Sequence, residues 1–397
     1  MIENIKKFFN GNIVLFFLFI YYIFKPIYLF ESGMPQVADY FLILICIYLF
    51  FNKNDKKNLI ETNEKKIINY KYRTIYLFVA WIILISLISS FVLESISLLK
   101  PSLFYIFNAL AVWMAKELYY KFGDIFIKKS LDYISIGCFI QMIISIFLTI
   151  SSDRANLLFN NPNQLGLYSL ICLTFILYFS TKYKIKLLYY ISIVSTTYLI
   201  LISLSKAAII GALMLITIKI IIEAKKSIIK FFILMCTITF FVTGLFNSFI
   251  SYIDNIDIIN SAMYRIENIE KENDSNLRTG RGYDRLLEIR YNMIWGVGEG
   301  EFNRFDSLKG KEIHSAYASI ICYYGIIGLL LLLFFLYKSH VFYYKNLIYY
   351  IGIFAYGITH QIWRNTLLWL FIEITCIVIC HKQAQDKRRE NENINIY

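Results

Sequence analysis

The sequence is poor in charged residues. Asp, Glu, Lys and Arg make up 17% of its 397 residues, whereas a typical soluble protein carries about 25%. Hydrophobic residues make up 58% and the mean hydropathy is +0.56, and apolar runs of membrane-spanning length recur along almost the whole chain. These features exclude a soluble globular protein and predict an integral membrane protein.

Proline and glycine are also scarce, with 4 and 17 residues, which excludes a collagen-like or low-complexity chain. The seven cysteines all lie in apolar stretches, so we expect buried hydrophobic side chains rather than disulfide partners or zinc ligands. The chain has no Ser-His-Asp order, phosphate-cradling glycine loop, Cys-x-x-Cys pair or Asp-x-Asp pair. Hydrolase, nucleotide-driven pump and redox functions therefore lack their usual residues, and we expect no cofactor and no metal.

The apolar runs define twelve candidate membrane spans. Hydrocarbon cannot satisfy backbone N–H and C=O groups, so the spans must be α-helices. The sequence thus predicts an all-α polytopic membrane protein with about 12 transmembrane helices, some of them short or tilted. The spans fall near residues 12–30, 38–51, 75–93, 102–115, 131–150, 164–180, 187–202, 207–222, 229–250, 314–337, 341–358 and 362–380.

Basic residues are distributed unevenly between the two sides of these spans. With the N-terminus in the cytoplasm, the inner connections carry 25 Lys and Arg residues and the short outer connections carry five, as the positive-inside rule requires. This membrane-related distribution accounts for the net charge of +12, which therefore does not indicate nucleic-acid binding. We predict a multi-pass protein of the cytoplasmic membrane with both termini in the cytoplasm.

One outer connection is much longer than the others. Residues 251–313 contain 12 acidic and 9 basic residues in 63 positions, and a segment of this length crosses the membrane regardless of charge. Helical spacing within it predicts an amphipathic helix on the outer membrane surface, with a solvated loop as the alternative. The expected apolar face consists of Tyr283, Leu286, Leu287, Tyr291 and Ile294, and the expected polar face of Arg281, Arg285, Glu288 and Asn292.

The predicted organisation has four parts. Residues 1–250 hold the first nine spans, 251–313 form the extracytoplasmic loop subdomain, 314–381 hold the last three spans, and 382–397 form a cytoplasmic tail. The tail is polar and is expected to lack stable structure.

His314 stands where the long loop ends and the tenth span begins, and Gly325 and Gly328 follow in that span. A histidine in the first turn of a helix feels the positive end of the helix dipole, which disfavours imidazolium and keeps the ring available as a proton acceptor. The two glycines are expected to let another helix approach closely. Each feature alone has a plainer explanation, as an interfacial anchor or as packing, but the combination is more specific.

With three further stretches, this segment resembles the O-antigen polymerase and O-antigen ligase superfamily of bacterial envelope polysaccharide assembly. Arg154 and an Asn-Pro-Asn motif ending at Asn163 are similar to a family segment at the outer entrance of a span. A Ser-Leu-Ser-Lys motif ending at Lys206 stands where the family usually has Ser-Arg-Gly. A Thr-Gly-Arg motif ending at Arg281 and a Gly-Val-Gly turn at Gly296 resemble the family's loop, without the proline usual before that turn.

The resemblance implies an enzyme that passes a glycan from polyprenyl pyrophosphate to an acceptor hydroxyl at the outer face of the membrane. His314 is implied as the general base and Arg281 as a catalytic cation. The implied substrate-binding residues are Lys206, Arg154, Asn163 and Arg278. Either Arg281 or Arg278 matches the family's loop arginine.

The preferred function is polymerisation of repeat units of O-antigen or capsular polysaccharide, because polymerases diverge widely and tolerate departures such as Lys206. Ligation of a glycan to a lipid core is the first alternative. The second is a flippase of polyprenyl-linked oligosaccharides, although a transporter typically has two related halves and midplane polar sites. The expected partners are the lipid-linked donor and acceptor, the bilayer, a flippase and a chain-length regulator, but no nucleic acid.

Two other pairs of polar residues are candidates for a functional role. Glu299 and Glu301 could chelate Mg²⁺, although carboxylates beside glycines are commoner in solvated turns. His360 and Arg364 flank the last outer turn and are candidates to line the acceptor path, with headgroup anchoring as the alternative.

Overall fold

A computed structural model describes residues 13–31, 33–52, 62–148, 154–180, 182–183, 186–224, 282–307 and 310–394. Within these ranges the regular structure consists of α-helices and short 3₁₀ turns, without a strand. The helices, numbered in chain order, are α1 (Ile13–Phe24), α2 (Val37–Phe51), α3 (Thr62–Val92), α4 (Lys100–Phe122), α5 (Asp124–Phe147), α6 (Pro162–Ser180), α7 (Leu187–Ser203), α8 (Lys206–Ala224), α9 (Asp284–Glu288), α10 (Ala316–Lys338), α11 (Tyr344–Gly357) and α12 (Thr366–Ile394).

Among the described residues, six helical segments are long and apolar enough to cross a membrane. A rise of 1.5 Å per residue carries about 20 helical residues across the roughly 30 Å of hydrocarbon. The apolar helices α1, α2 and α7 are shorter. The six segments are Arg73–Val92, Ile96–Phe122, Asp124–Phe147, Pro162–Ser180, Ala316–Lys338 and Thr366–Asp386.

Every predicted span in the described part of the chain coincides with a helix, so the all-helical prediction is confirmed. The span predicted at 229–250 lies outside the described residues. The number of helices that cross the membrane stays a prediction. At the C-terminus, α12 continues to Ile394 and so extends into the segment predicted as a polar tail.

Contacts divide the chain into two units. The first unit contains residues 1–134, 276–346 and 357–397, and the second contains residues 135–275 and 347–356. In the first unit α1 packs on α2, α3 on α10, and α4 on α12. Its core includes the indole of Trp369, which stacks on the rings of Phe78 and Phe335 at centroid distances of 6.1 and 5.4 Å.

Small residues bring the helices of the second unit close together. A Cβ on Gly211 of α8 would lie 2.6 Å from the carbonyl oxygen of Gly352 in α11. A Cβ on Gly166 of α6 would lie 2.9 Å from Cβ of Ser205 and 3.0 Å from Cβ of Ala208. Small side chains allow backbones to approach in this way in membranes, where apolar contact alone gives little preference for a protein neighbour over lipid.

In the first unit, α10 is interrupted at Gly325. This residue has φ 73° and ψ 179°, a conformation that glycine adopts without the steric cost of a Cβ. The break removes carbonyl groups from the helical ladder, and unsatisfied groups are costly in hydrocarbon. The N–H groups of Val297 and Gly298 fill this need, because they donate to the carbonyl oxygens of Cys322 and Tyr323 at 3.2 and 2.9 Å.

The same loop segment, residues 293–298, also serves the second half of the broken helix. The N–H of Ile326 donates to the carbonyl oxygen of Met293 at 2.9 Å, and the next amide in α10 bonds the next carbonyl in the loop. Nε1 of Trp81 in α3 donates to the carbonyl oxygen of Tyr324 at 2.8 Å. The break is therefore a built feature whose polar groups are satisfied from the loop and from α3.

Gly325 and Gly328 were expected to admit a neighbouring helix. At Gly325 the neighbour is instead the loop, since a Cβ there would collide with the backbone of Ile294. At Gly328 a Cβ would lie 2.7 Å from Cβ of Tyr324 and 3.4 Å from the indole of Trp81. Space is thus short at both glycines, but only Gly328 faces another helix.

Within residues 282–307, the predicted amphipathic helix is wrong in its length and in the placement of Arg285. Helix α9 has only five residues and is followed by a 3₁₀ turn at Arg290–Asn292. Arg285, assigned to the polar face, is completely buried. Leu287 and Tyr291 of the assigned apolar face are 56% and 82% exposed, which agrees with a face that contacts lipid. The periodicity was misleading because backbone bonds to the break in α10 hold the following residues out of a helix.

Candidate functional site

In the second unit, two of the sequence motifs meet around Arg154. Its Nη2 donates to Oδ1 of Asn163 at 2.7 Å, and its Nε donates to the carbonyl oxygen of Ser203 at 3.3 Å. The hydroxyl of Tyr356 donates to the carbonyl oxygen of Asn163 at 2.9 Å, so α11 helps to fix the motif. These four residues are called the Arg154 cluster below.

Lys206 lies three residues after Ser203 of this cluster, across the turn between α7 and α8. Leu204 has φ 47° and ψ 29°, a left-handed conformation that ends α7. Lys206 is then the first residue of α8 and is half-buried. A lysine adds positive charge to the positive end of a helix, an arrangement that costs about 0.3–1 kcal/mol by itself and favours an anion such as phosphate.

His314 lies just outside α10, in the first unit. The N-cap of α10 is Ser315, whose Oγ accepts a hydrogen bond from the N–H of Ala318 at 3.4 Å, so His314 precedes the cap and is not in the first helical turn. Its side chain is exposed. Arg278 and Arg281 lie outside the described residues, so their proximity to His314 stays a prediction.

A group of charged residues that the sequence did not bring together lies close to His314 in the chain. Arg364 donates through Nη2 to Oε1 of Glu299 and through Nη1 to Oε1 of Glu312, at 3.1 Å for the second bond. The hydroxyl of Tyr324 donates to Oε2 of Glu299 at 2.7 Å. Glu299 is 1% exposed. We call Glu299, Glu312, Tyr324 and Arg364 the Arg364 cluster.

The Arg364 cluster changes the interpretation of several predicted residues. Arg364, a candidate for the acceptor path, joins the turn between α11 and α12 to Glu299 and Glu312. Glu312 is two residues before His314 in the sequence. His360 bonds locally, with Nδ1 2.8 Å from Oγ1 of Thr359.

Both carboxylates considered for Mg²⁺ have other partners. Glu299 is held by Arg364 and Tyr324, and Oε1 of Glu301 accepts hydrogen bonds from the hydroxyl groups of Ser97 and Ser95, the latter at 2.8 Å. The bond from Ser97 and then that from Ser95 lower the pKa of Glu301. Among the described residues, no group of three or more His, Cys, Asp or Glu side chains is placed to hold a metal ion.

Arg285 is a buried arginine that the sequence placed on the wrong side of its helix. Its Nη1 donates to the hydroxyl of Tyr323 at 3.0 Å, and its Nη2 donates to the carbonyl oxygens of Ser307 and Lys311, both at 2.9 Å. The guanidinium carbon lies 4.4 Å from the ring centroid of Phe305. Arg285 thus ties both ends of the described loop to α10. The aromatic residues that follow Arg285 in the sequence are the feature that could have predicted its burial.

The structure therefore groups the predicted residues within two separate units. The second unit brings Arg154, Asn163 and the Ser203 end of the Lys206 motif together. The first unit holds His314, with the Arg364 cluster two residues away in sequence. The six described cysteines are free and buried, and Cys236 lies outside the described residues.

Part of the chain matches the model of a known protein family. Residues 191–333 match the family model described as O-antigen ligase, which confirms the resemblance to the O-antigen polymerase and ligase superfamily and supports a multi-pass membrane protein of polysaccharide biosynthesis. The matched range contains Lys206, Arg281, His314 and both glycines of α10. No curated protein matches the chain.

Proposed function

We propose that this protein is a membrane glycosyltransferase that polymerises oligosaccharide repeat units carried on polyprenyl pyrophosphate. The observation that carries the proposal is that one family match, over residues 191–333, contains both Lys206 and His314. These are the implied cation and the implied base. Further support comes from Arg154, which is bonded to the Ser203 carbonyl at the start of the Lys206 motif.

The reaction needs a base at the acceptor. The acceptor hydroxyl oxygen attacks the anomeric carbon of the donor glycan, the hydroxyl proton passes to the imidazole of His314, and the bond from the anomeric carbon to the pyrophosphate oxygen breaks. The polyprenyl pyrophosphate leaves with the bonding electron pair. A positioned base of this kind contributes about 10²- to 10⁴-fold to the rate. The exposed position of His314 suits a base that must meet a bulky glycan.

The reaction also needs fixed positive charge at the leaving group. Arg154, Lys206 and the loop arginine, either Arg281 or Arg278, are proposed for this role. Arg154 is oriented by a neutral amide and a backbone carbonyl, and neither contact neutralises its guanidinium. Such preoriented donors stabilise charge that develops in the transition state more than solvent can.

Ligation of the completed glycan to a lipid core is the second candidate function, because the matching family is described as O-antigen ligase. The bond chemistry is the same in both reactions, and only the acceptor differs. Purified protein in nanodiscs should be given a polyprenyl-pyrophosphate-linked repeat unit as sole substrate. A ladder of longer lipid-linked glycans supports polymerisation, whereas transfer that begins only after addition of a lipid-core acceptor supports ligation. No transfer with either acceptor would overturn both proposals.

The broken helix bears on the flippase alternative. Discontinuous helices in transporters present backbone groups to the substrate or coupling ion. In α10 the groups freed at Gly325 bond to residues 293–298 and to Trp81, so the break serves loop attachment. Counterflow transport of a polyprenyl-linked oligosaccharide across proteoliposomes, without a change in glycan length, would contradict the transferase proposal.

The proposed active site lies on the outer face of the cytoplasmic membrane, with both termini inside. Cysteine introduced at Lys311, which is exposed between α9 and α10, should react with an impermeant maleimide on intact cells. Cysteine at Asn52, exposed after α2, should react only after permeabilisation. The reverse pattern would contradict this orientation.

A further inference from the structure

The loop segment 293–298 is bonded to α10 at membrane depth. Its hydrogen bonds reach residues 322–327 of the span Ala316–Lys338, which has 23 residues and a mean hydropathy of 2.5. These residues are 6 to 11 positions after Ala316, the first residue of α10. At 1.5 Å per residue, the bonded part of α10 begins about 9 Å from Ala316 and reaches about 16 Å, near the middle of the span.

A second helix gives an independent measure of the same depth. The indole of Trp295 lies 5.9 Å, centroid to centroid, from the indole of Trp81. Trp81 is 11 residues before Val92, the end of the apolar span Arg73–Val92. This separation corresponds to about 16 Å along α3. Both helices therefore place Trp295 well inside the apolar layer rather than at its edge.

The loop presents apolar side chains outward at this depth. Ile294 and Trp295 are 54% and 56% exposed in the first unit. Four backbone bonds join this segment to the break in α10, from the carbonyls of Met293 and Ile294 and from the N–H groups of Val297 and Gly298, and these satisfy much of the polar backbone that an apolar medium would leave unpaired. A loop in hydrocarbon is otherwise excluded by its unpaired backbone.

The side chains change character toward the end of α10. Tyr291 is 82% exposed, and the guanidinium of Arg290 lies 4.7 Å from its ring centroid and donates to its hydroxyl at 2.8 Å. Aromatic and basic residues of this kind are enriched at the headgroup level of membranes. The sequence of an aromatic-basic pair followed by two deeper apolar residues follows the polarity gradient of one leaflet.

We propose that Arg290–Gly298 is a re-entrant segment that enters the bilayer beside α3 and α10, so that Ile294 and Trp295 contact lipid acyl chains. Arg290 and Tyr291 occupy the headgroup layer above them. The long loop is then anchored in the membrane rather than resting on its surface. This inference does not depend on the proposed glycosyl transfer.

Tryptophan fluorescence tests the lipid contact of Trp295 directly, because the other four tryptophans are buried or half-buried. The difference in emission between wild-type protein and Trp295→Phe isolates the signal of Trp295. In nanodiscs of phosphatidylcholine brominated in the lower half of the acyl chain, this signal should lose most of its intensity, and aqueous iodide should change it little. Quenching by iodide but not by brominated lipid would place Trp295 in water and overturn the proposal. Quenching by neither would show a protein partner on this surface and would also overturn it.

A spin label supplies a second measurement that does not rely on tryptophan. A nitroxide on Ile294→Cys should collide more with oxygen, which concentrates in hydrocarbon, than with a water-soluble nickel chelate. The same label on Lys311→Cys, an exposed loop position, is the matched control and should show the opposite preference. Equal preference at the two positions would contradict a re-entrant segment.

Discussion

Two arginines of the molecule are held in contrasting ways. Arg154 in the second unit is oriented by the side-chain amide of Asn163 and the carbonyl of Ser203, whereas Arg364 in the first unit is bonded to the carboxylates of Glu299 and Glu312. Neutral acceptors fix the direction of a guanidinium without cancelling its charge. Two carboxylates more than cancel it, so Arg364 is suited to hold structure, whereas the role of Arg154 at an anionic group stays a proposal.

The carboxylate partners of Arg364 matter for stability mainly when one of them is lost. A buried ion pair adds little net stability, because desolvation offsets the attraction, but loss of one partner leaves a buried charge uncompensated. Glu299 is 1% exposed and depends on Arg364 in this sense. Arg364 therefore helps to fix the positions of Glu299 and Glu312, the latter two residues before His314 in the sequence.

The largest effect is expected from substitution of His314, which should change the rate of glycan transfer without changing stability. His314→Ala should lower the rate of glycan transfer by about 10²- to 10⁴-fold, since a general base is removed. The thermal midpoint should remain near that of wild type, because the side chain is exposed. The transfer rate in nanodiscs and the thermal midpoint should be measured on the same preparation.

Gly328→Leu is the matched control for His314→Ala. A side chain at Gly328 would meet Tyr324 and Trp81, so activity and thermal midpoint should fall together. A His314→Ala protein that still builds long glycans at normal expression would leave the proposed mechanism without a base.

The next largest effect is expected at Arg364. Arg364→Ala leaves Glu299 buried beside the Tyr324 hydroxyl, and truncation of one partner of a buried pair costs about 3–5 kcal/mol. The thermal midpoint should therefore drop strongly, and the double variant Arg364→Ala, Glu299→Gln should recover part of the loss. An Arg364→Ala protein of normal stability without transferase activity would make Arg364 part of the substrate site and remove the contrast with Arg154.

Arg154 should show the opposite pattern, with altered kinetics and little change in stability. Loss of a charge-assisted hydrogen bond is worth about 1.5–3 kcal/mol, or roughly 10- to 150-fold. Arg154→Gln should therefore raise the KM for the lipid-linked donor or lower kcat by this order, and Arg154→Lys should lose less because it keeps the charge. A large fall in the thermal midpoint of Arg154→Gln, with unchanged kinetics per folded molecule, would assign the residue to structure.

Lys206 sharpens the same comparison at the start of α8. Lys206→Ala removes a positive charge from the positive end of the helix, so stability should stay equal or rise slightly, by about 0.3–1 kcal/mol. Activity should fall nonetheless, and Lys206→Arg should retain much of it. Full activity in Lys206→Ala would exclude this residue from the donor site. Thermal unfolding and donor KM, measured on the three proteins, distinguish these outcomes.

The sequence predicted the helices well, because apolar length alone decides where a chain can cross a bilayer. Arg154, Asn163 and Lys206, which it proposed for substrate binding, lie in one unit, where Arg154 bonds Asn163 and the Ser203 end of the Lys206 motif, but their role stays a prediction. The sequence could not predict the pairing of Glu299 with Arg364, because 65 residues separate them and no periodicity links positions on different elements.

The errors in the long loop have one physical cause. Helical spacing in residues 281–294 predicted an amphipathic helix on the membrane surface, but the break at Gly325 bonds the backbone of Met293 and Ile294. A single sequence shows that Gly325 has no side chain, yet it does not show which segment will occupy the space. The burial of Arg285 follows from that bonding, since the loop folds over α10.

The smallest effect is expected at Glu288, a carboxylate that is held by uncharged donors, as Arg154 is by uncharged acceptors. Oε1 accepts from the N–H of Asp306 at 3.0 Å, and Oε2 accepts from the hydroxyl of Ser307 at 2.6 Å. Burial alone would raise the pKa of Glu288, but the bonds from Ser307 and Asp306, with the nearby charge of Arg285, lower it below its ordinary value.

A lowered pKa makes the contribution of Glu288 depend on pH in a defined direction. The ionised carboxylate stabilises the loop above its ordinary pKa of about 4.3, and this contribution is lost as the pH falls through the lower value of the folded protein. Because the group is exposed and screened, it should amount to a few tenths of a kcal/mol, about the size of a surface ion pair. The thermal midpoint of Glu288→Gln should therefore lie slightly below that of wild type at pH 7, and the two should converge on acidification. Ser307→Ala, which removes the closest donor, should show the same convergence, whereas a gap that persists to pH 3 would mean that Glu288 acts through packing rather than through its charge.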